Sequence, residues 1–298
     1  MQELIKSGAS PNEGRSVLRG VLGATSPLHA IVQKPGAGST KEVMQVMRLF
    51  QREDSRYRGH WGLDSQETLL YAAAKGGHKE LVEALLPAAS TPLDPAAWRG
   101  EGRFLGPAGL FGHISPLYAA ATEGHLEMVE LLLKRQACAD DGVYTPWAQA
   151  SPLYAAAVNG DHKMTRALLS ASSPAMPDVG HSYGVFGLLG HVSPLYAAAA
   201  GNSLETVQQL LGYLEQHKRK SISEWRLLKQ VPDAPPRAST KHGLWELGLL
   251  HLYRTETALF AAARNGNAAM VGALLAEHAA PEEGDHVFSW GYSERTSP

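Results

Sequence analysis

Apolar and polar positions recur along this chain in one segment that is copied with little change. Residues 115–133 read Ser-Pro-Leu-Tyr-Ala-Ala-Ala-Thr-Glu-Gly-His-Leu-Glu-Met-Val-Glu-Leu-Leu-Leu, and residues 151–160 and 193–202 begin in the same way. Looser copies begin at Thr68, Thr257 and Ser26. Repetition of this kind indicates a structure in which six copies of one small unit are stacked.

Each unit predicts two helices joined by a turn. Ser or Thr followed by Pro is a helix N-cap with proline at the first helical position, and the alanine-rich stretch behind it ends at a glycine such as Gly124 or Gly160. In the next stretch, Leu126, Val129 and Leu132 fall on one side at helical spacing. A single helix-turn-helix hairpin cannot bury such a face alone, so neighbouring hairpins are expected to cover it.

The repeated motif resembles the ankyrin repeat, with its Thr-Pro-Leu-His-x-Ala start and Gly-His-x-x-x-Val-x-x-Leu-Leu continuation. The resemblance extends from Leu4 to about Ala280. A leucine pair recurs in register, at Leu85–Leu86, Leu132–Leu133, Leu168–Leu169, Leu210–Leu211 and Leu274–Leu275. The resemblance implies an all-α repeat solenoid of stacked helix-turn-helix ankyrin repeats with enlarged hairpin loops.

The chain departs from the family pattern at the motif histidine. It is kept only as His29 and is replaced by an aromatic residue in the other units, at Tyr71, Tyr118, Tyr154, Tyr196 and Phe260. We expect these rings to exchange a hydrogen bond to the neighbouring loops for aromatic packing. His78 and His125 stand where the family places a histidine after glycine, and we expect them to be structural.

The units are longer than the family period of about 33 residues. They start near residues 26, 68, 115, 151, 193 and 257, and most of the surplus lies in the hairpin loops. Two enlarged loops, 109–115 and 187–193, are near-copies. We therefore predict an ankyrin-repeat domain over 26–280, followed by a C-terminal tail over 281–298.

Two segments interrupt the regular pattern. Residues 1–14 resemble the end of a repeat whose first helix is missing, so we expect either a truncated chain or a half repeat that caps the array. The insertion 212–256 contains a basic run, His217–Lys220, and a short helical pattern, Ser223–Lys229. We expect this insertion to be a flexible loop with one packed end.

Composition narrows the class of partner. The formal net charge is -2 with a pI near 6.7, so the chain has no overall basic field for nucleic acid. The single cysteine, Cys138, cannot form an internal disulfide, which favours an intracellular protein, cytoplasmic or nuclear. There is no apolar run long enough to span a membrane. We expect a monomer.

No catalytic, cofactor or metal site is predicted. His113 and His191 occupy equivalent loop positions, but equivalent residues of separate repeats stand too far apart for the short bonds that zinc requires. Cys138 follows a helix end without a fixed basic partner. These observations favour a non-catalytic protein.

The resemblance implies a scaffold or adaptor that binds another protein through the groove of the first helices and the loop tips. The predicted groove contacts are Lys75, Thr122, Glu123, Val158, Asn159, Arg264 and Asn265. The predicted loop contacts are Trp98, Phe104, Phe111, His113, Tyr144, Trp147, Tyr183, Phe186, His191 and Trp245. Aromatic anchors concentrate interface energy, although the same rings are also suited to pinning long loops onto the helices.

Two other functions stay open at this point. The half repeat near Met1 favours a targeting module of a larger enzyme, of ligase or kinase type, whose catalytic domain lies outside this chain. The basic insertion 212–256 is suited to binding nucleic acid or an acidic membrane, and such binding is expected to weaken steeply with salt.

Overall fold

The computed structural model describes residues 15–17, 23–25, 29, 32, 58–62, 65–86, 102–106, 110–177, 179–183, 190–226, 244–247, 253–277, 279, 285–289 and 292–296. The chain divides into two compact units, Met1–Thr145 and Pro146–Pro298. The half repeat at 1–14 and two of the predicted contacts, Trp98 and Phe186, lie outside the described residues.

Helices and strands alternate in both units. The first unit contains β1 (Arg15–Val17), β2 (Gly23–Thr25), β3 (Arg58–Gly62), β4 (Ser65–Thr68), α1 (Leu69–Lys75), α2 (Lys79–Leu85), β5 (Arg103–Leu105), β6 (Gly112–Ile114), α3 (Pro116–Thr122), α4 (Leu126–Lys134) and β7 (Val143–Tyr144). The second contains β8 (Ala148–Ala150), α5 (Pro152–Val158), α6 (His162–Leu169), β9 (His181–Tyr183), β10 (Gly190–Val192), α7 (Pro194–Ala200), α8 (Leu204–Arg226), β11 (Leu244–Leu247), β12 (Tyr253–Glu256), α9 (Ala258–Arg264), α10 (Ala268–Ala276), β13 (Asp285–Ser289) and β14 (Tyr292–Thr296).

The first helix of each described pair begins where the sequence predicts. The cap hydroxyl accepts a hydrogen bond from the backbone N–H three residues later, at 3.0–3.2 Å, in Thr68, Ser115, Ser151, Ser193 and Thr257. Gly124 and Gly160 follow the helix ends with φ of 77° and 66°, a left-handed conformation in which a side chain is strained. The five predicted helix-turn-helix repeats that the structure describes are therefore confirmed, while the helices of the repeat that starts at Ser26 lie almost entirely outside the described residues.

Alanine makes close packing of the first helices possible. In the first unit α1 contacts α3, and in the second unit α7 contacts both α5 and α9. The alanine five residues after each cap is completely buried, at Ala73, Ala120, Ala156, Ala198 and Ala262. Because this side chain is so small, neighbouring helix backbones can approach closely, and the leucines beside it complete the core.

Neighbouring repeats are also joined at the turns between their helices. Nε2 of His78 lies 3.3 Å from the carbonyl oxygen of Val32, and Nε2 of His125 lies 3.0 Å from that of Lys75. In the second unit the hydroxyl of Ser203 takes the same role and donates to the carbonyl of the preceding turn at 3.3 Å. His78 and His125 are structural, as the sequence pattern predicts.

The enlarged loops form β-hairpins, and these hairpins pair with one another. Strands β1–β7 follow chain order as antiparallel neighbours in the first unit, and β8–β14 do so in the second. The expected all-α class is therefore wrong, while the repeated helix-turn-helix architecture holds. Extended backbone beside extended backbone satisfies the N–H and C=O groups that a long loop leaves unpaired.

The cap residues tie these hairpins to the helices. The N–H of Thr68 donates to the carbonyl of Gly102 at 2.9 Å, and the N–H of Ser151 donates to that of Gly180 at 3.2 Å. In the second unit the Ser151 hydroxyl also donates to the carbonyl oxygen of Val179. A single Ser or Thr thus begins a helix and holds the hairpin that leads to the next helix.

Two segments differ from expectation near the C-terminal end. Helix α8 continues without a break through Gly212 and the basic run to Arg226, instead of giving way to a loop and a separate helix at Ser223–Lys229. Lys, Arg, Glu, Gln and Leu in this stretch favour helix strongly enough to continue it past one glycine. Part of the predicted tail over 281–298 forms the hairpin β13–β14.

Candidate functional site

In the first unit, three predicted loop contacts lie in one row across the sheet. Phe104 pairs with His113, and His113 pairs with Tyr144 on the next strand. Paired residues of antiparallel strands point to the same face, and the rings of Phe104 and His113 are 4.9 Å apart. We call Phe104, His113 and Tyr144 the outer row.

The opposite face of this sheet points towards the helices. Glu67 pairs with Arg103, one residue out of phase with the outer row. The side chain of Arg103 forms a hydrogen bond with the hydroxyl of Tyr71 on α1. Because side chains alternate along a strand, the outer row faces away from α1. The predicted groove contacts and the outer row therefore belong to different faces.

The hairpin tip beside the outer row exposes apolar surface. Leu110 is 76% exposed, Phe111 46% and Tyr144 43%. The Phe111 ring lies over Gly106, since a Cβ atom on that glycine would come 2.1 Å from Cδ2 of the ring. Phe111 therefore both packs on its own hairpin and presents about half of its surface to solvent.

The second unit repeats this arrangement with different residues. His191 pairs with Ser182 on one side and with Trp245 on the other. The hydroxyl of Ser182 lies 3.0 Å from Nδ1 of His191. His191 thus occupies the register position that His113 has in the first unit, and Trp245 occupies that of Tyr144.

Tyr183 alternates to the helix side of the second sheet and joins an aromatic stack. The ring of His181 lies 5.3 Å from that of Tyr154 on α5 and 5.8 Å from that of Tyr183, with interplanar angles of 22° and 23°. Burial lowers the pKa of His181 and raises that of Tyr154. His181 and Tyr154 are therefore uncharged at neutral pH.

The seven predicted groove contacts are all exposed at the ends of first helices. Several also bind their own chain. The side-chain amide of Asn265 donates to the carbonyls of Ala199 and Ala200, at 3.0 and 3.1 Å. The hydroxyl of Thr122 donates to the carbonyl of Ala119 at 2.9 Å. Asn265 thus joins two repeats, which gives it a structural role as well. Among the predicted loop contacts, Trp147 is 54% exposed.

The repeat pattern does not predict two clusters in which a glutamate is paired with basic side chains. Glu256 is 1% exposed, and its Oε1 lies 2.8 Å from a guanidinium nitrogen of Arg264. In the first unit, Oε1 of Glu67 lies 3.5 Å from Nε2 of His29, and Oε2 lies 4.0 Å from Nε of Arg103. The sequence signal for these clusters is a glutamate directly before the cap residue, which among the described repeats occurs only in those that start at Thr68 and Thr257.

The tyrosine at the motif position keeps a polar contact in these clusters. The hydroxyl of Tyr196 hydrogen-bonds with Glu256 and Arg264. Burial and the Glu256 charge raise the pKa of Tyr196 to about 12. The expected exchange of a hydrogen bond for aromatic packing is thus wrong for Tyr71 and Tyr196, because a phenol reaches both a carboxylate and a guanidinium.

Replacement of this phenol is expected to change stability at alkaline pH. The ordinary tyrosine pKa of 10.0 applies in the unfolded chain, so folding favours the protonated form. The stabilisation is complete below about pH 10 and is lost as pH rises towards about 12, in total about 3 kcal/mol. We expect the difference in unfolding free energy between wild type and Tyr196→Phe to shrink over this range in urea titrations. Parallel pH dependence of the two proteins would contradict the assignment.

Three further observations concern chemistry. Within the described ranges, no group of three or more His, Cys, Asp or Glu side chains is arranged to hold a metal ion. Cys138 is an exposed free thiol. None of the helices in the described part of the chain is long and apolar enough to cross a membrane.

Comparison with known proteins agrees with the helix pairs. The sequence matches the family described as ankyrin repeats (3 copies) over residues 28–138 and 104–180, which together span about half of the chain. The matched residues include α1 to α6. No curated protein matches the chain in sequence. Ankyrin repeats are non-catalytic modules that generally bind other proteins.

Proposed function

This chain belongs to the ankyrin-repeat family, and we propose on that premise that it is a non-catalytic scaffold or adaptor that binds a partner protein through its groove and hairpins. The observation that carries the proposal is the exposed apolar tip of the β5–β6 hairpin, Leu110 and Phe111, together with Tyr144 of the neighbouring outer row. Contiguous apolar exposure rimmed by polar residues is typical of protein interaction sites. We also propose an intracellular site of action, in keeping with the single cysteine.

The proposed contacts form two sets. Groove contacts are Lys75, Thr122, Glu123, Val158, Asn159, Arg264 and Asn265, together with the ring of Tyr183. Hairpin contacts are Phe104, Phe111, His113, Tyr144, Trp147, His191 and Trp245, with Trp98 and Phe186 proposed from the sequence alone. Because the outer row faces away from α1, a partner that uses both sets has to reach around the edge of the hairpins.

Removal of the hairpin tip is expected to abolish capture of a specific partner. We expect Leu110→Ser combined with Tyr144→Ala to lower recovery of at least one protein by about tenfold or more, since buried apolar anchors dominate interface energy. The measurement is affinity capture on the immobilised full chain from a lysate of the source cells, quantified by mass spectrometry.

The matched control is Leu275→Ala on α10. Leu275 is 42% exposed, which is similar to the exposed fraction of Tyr144, but it lies on the second helix of a repeat and not on a hairpin. Recovery of the partner should be unchanged in this control. If every captured protein responds equally to both variants, or to neither, the proposed surface is wrong. Unchanged capture with a lowered melting temperature would instead assign Leu110 and Tyr144 to pinning the hairpin.

A further inference from the structure

The geometry points to a partner of defined chemistry for the second unit. We define this second-unit groove as the C-terminal ends of α5, α7 and α9 together with an aromatic stack, which consists of Tyr154 on α5 and of His181 and Tyr183 on β9. We propose that this second-unit groove binds a segment of the partner protein whose contacting side chains are uncharged and apolar or aromatic. The inference rests on the proposed function, because it specifies what the groove binds.

The helices that form this groove are almost free of charge. Their sequences are Pro-Leu-Tyr-Ala-Ala-Ala-Val, Pro-Leu-Tyr-Ala-Ala-Ala-Ala and Ala-Leu-Phe-Ala-Ala-Ala-Arg. The residues that follow them, Asn159, Gly201 and Asn265, are uncharged as well. Among these twenty-four positions, Arg264 alone carries a charge.

That single charge is compensated within the protein. The guanidinium of Arg264 lies 2.8 Å from the carboxylate of Glu256, which is buried. The acidic residue that follows α5 in the chain, Asp161, is the N-cap of α6, where its Oδ1 accepts hydrogen bonds from two backbone N–H groups at 3.0 Å. The groove therefore presents no net charge to a ligand among its described residues.

The remaining surface is apolar and aromatic. Val158 on α5 is 50% exposed. On the same helix Tyr154 is partly exposed and continues into the stacked rings of His181 and Tyr183. An apolar or aromatic side chain placed here would bury area against this surface without losing a hydrogen bond. A charged side chain would lose its water, and the one charge on these helices, the guanidinium of Arg264, is already paired with Glu256.

The first unit provides the contrast. Its first helices end in exposed charges, at Lys75 on α1 and at Glu123 after α3. The two first helices of the first unit thus carry two exposed charges, whereas the three first helices of the second unit carry one, which is paired with buried Glu256. This low number of charges belongs to the second-unit groove and not to the repeat motif in general, which makes it a candidate determinant of partner choice.

A displayed peptide library tests this chemistry with the full chain. Random 12-residue peptides on phage are selected against the wild type, and clones that lose binding to Val158→Asp or to Val158→Lys are retained as groove binders. Synthetic versions of these peptides are then titrated by fluorescence anisotropy against wild type, both charged variants and Val158→Thr. Lys134→Ala, at the exposed end of the second helix α4 and outside both proposed contact sets, is the control, and melting temperatures check that each variant folds.

We expect retained peptides to be rich in apolar and aromatic residues. Their Kd should change by less than about threefold between low and high salt, because no ion pair is involved. Asp and Lys at position 158 should each weaken binding at least tenfold, and Val158→Thr should weaken it less than either charged variant. Lys134→Ala should stay within about threefold.

The inference is overturned if retained peptides are charged and lose about tenfold or more in affinity at high salt. It is equally overturned if one charged substitution strengthens binding while the other weakens it, or if no binder is sensitive to position 158. Those results leave protein binding intact elsewhere on the chain. A library that contains no binder at all would instead count against the proposed function.

Discussion

Gly180→Ala is expected to destabilise the second unit by about 3 kcal/mol or more. A Cβ atom on Gly180 would lie 1.9 Å from the carbonyl oxygen of Val192 and 3.0 Å from Cα of Ser193. Both contacts are backbone atoms of β10 and of the cap of α7, so no side chain can move aside to relieve the overlap. Overpacking against backbone forces a shift of whole elements, which places it at the high end of substitution effects.

The midpoint of urea unfolding, followed by circular dichroism, measures this effect. Gly212→Ala is the matched control, because Gly212 lies within α8 and a Cβ there meets nothing within 4 Å. Alanine at this position should leave stability unchanged or raise it by up to about 1 kcal/mol, as expected for glycine in a helix. Equal midpoints for wild type and Gly180→Ala would show that β9 and β10 are not in the close contact described.

Arg264→Ala is expected to cost about 3 kcal/mol, because it leaves the buried carboxylate of Glu256 without its cationic partner. Lys75→Ala is the matched control, since Lys75 and Arg264 are the last residues of α1 and α9 and only Arg264 has a buried acidic partner described. The control should stay within about 0.5 kcal/mol of wild type.

A second substitution separates the ion pair from simple loss of packing. In the double variant Arg264→Ala with Glu256→Gln, a neutral amide replaces the stranded carboxylate, so we expect about 1 kcal/mol or more of the lost stability to return. Additive destabilisation by the two changes would show that the pair is not coupled. Urea unfolding of the four proteins gives the coupling energy directly.

These stability effects bear on how partner binding is interpreted. Arg264 and Asn265 were predicted as groove contacts from the family pattern, yet each joins structural elements of the second unit. A loss of binding in either variant therefore needs the melting temperature beside it. Val158 is half exposed, and its apolar side chain forms neither a hydrogen bond nor an ion pair, so it is the better probe of the groove.

The helix pairs could be predicted closely from the sequence. A Ser or Thr cap, the alanine stretch and the following glycine act over three to seven residues, and the hydrogen bonds at Ser115 and the left-handed turn at Gly124 are local consequences of those residues. The exposure of the predicted groove contacts also follows from this local pattern. Helix position alone determined which side of the first helix faces solvent.

The fate of the long loops could not be predicted in the same way. Phe104 and His113 are nine residues apart, but His113 and Tyr144 are separated by a complete helix pair, and their pairing depends on the register between strands. Since a shift of one residue would exchange the two faces of the sheet, loop composition cannot assign Tyr183 to the helix side and Phe104 to the other.

By itself, then, the sequence determined the repeat, the family and the start and end of each described first helix, because these depend on contacts between near neighbours in the chain. Only the tertiary structure decided that the loops within each unit pair as strands, that the candidate contacts divide between the two faces of those strands, and that Glu256 neutralises Arg264. Those outcomes depend on strand register and on burial, which bring together groups whose separation along the chain carries no signal of their distance in space.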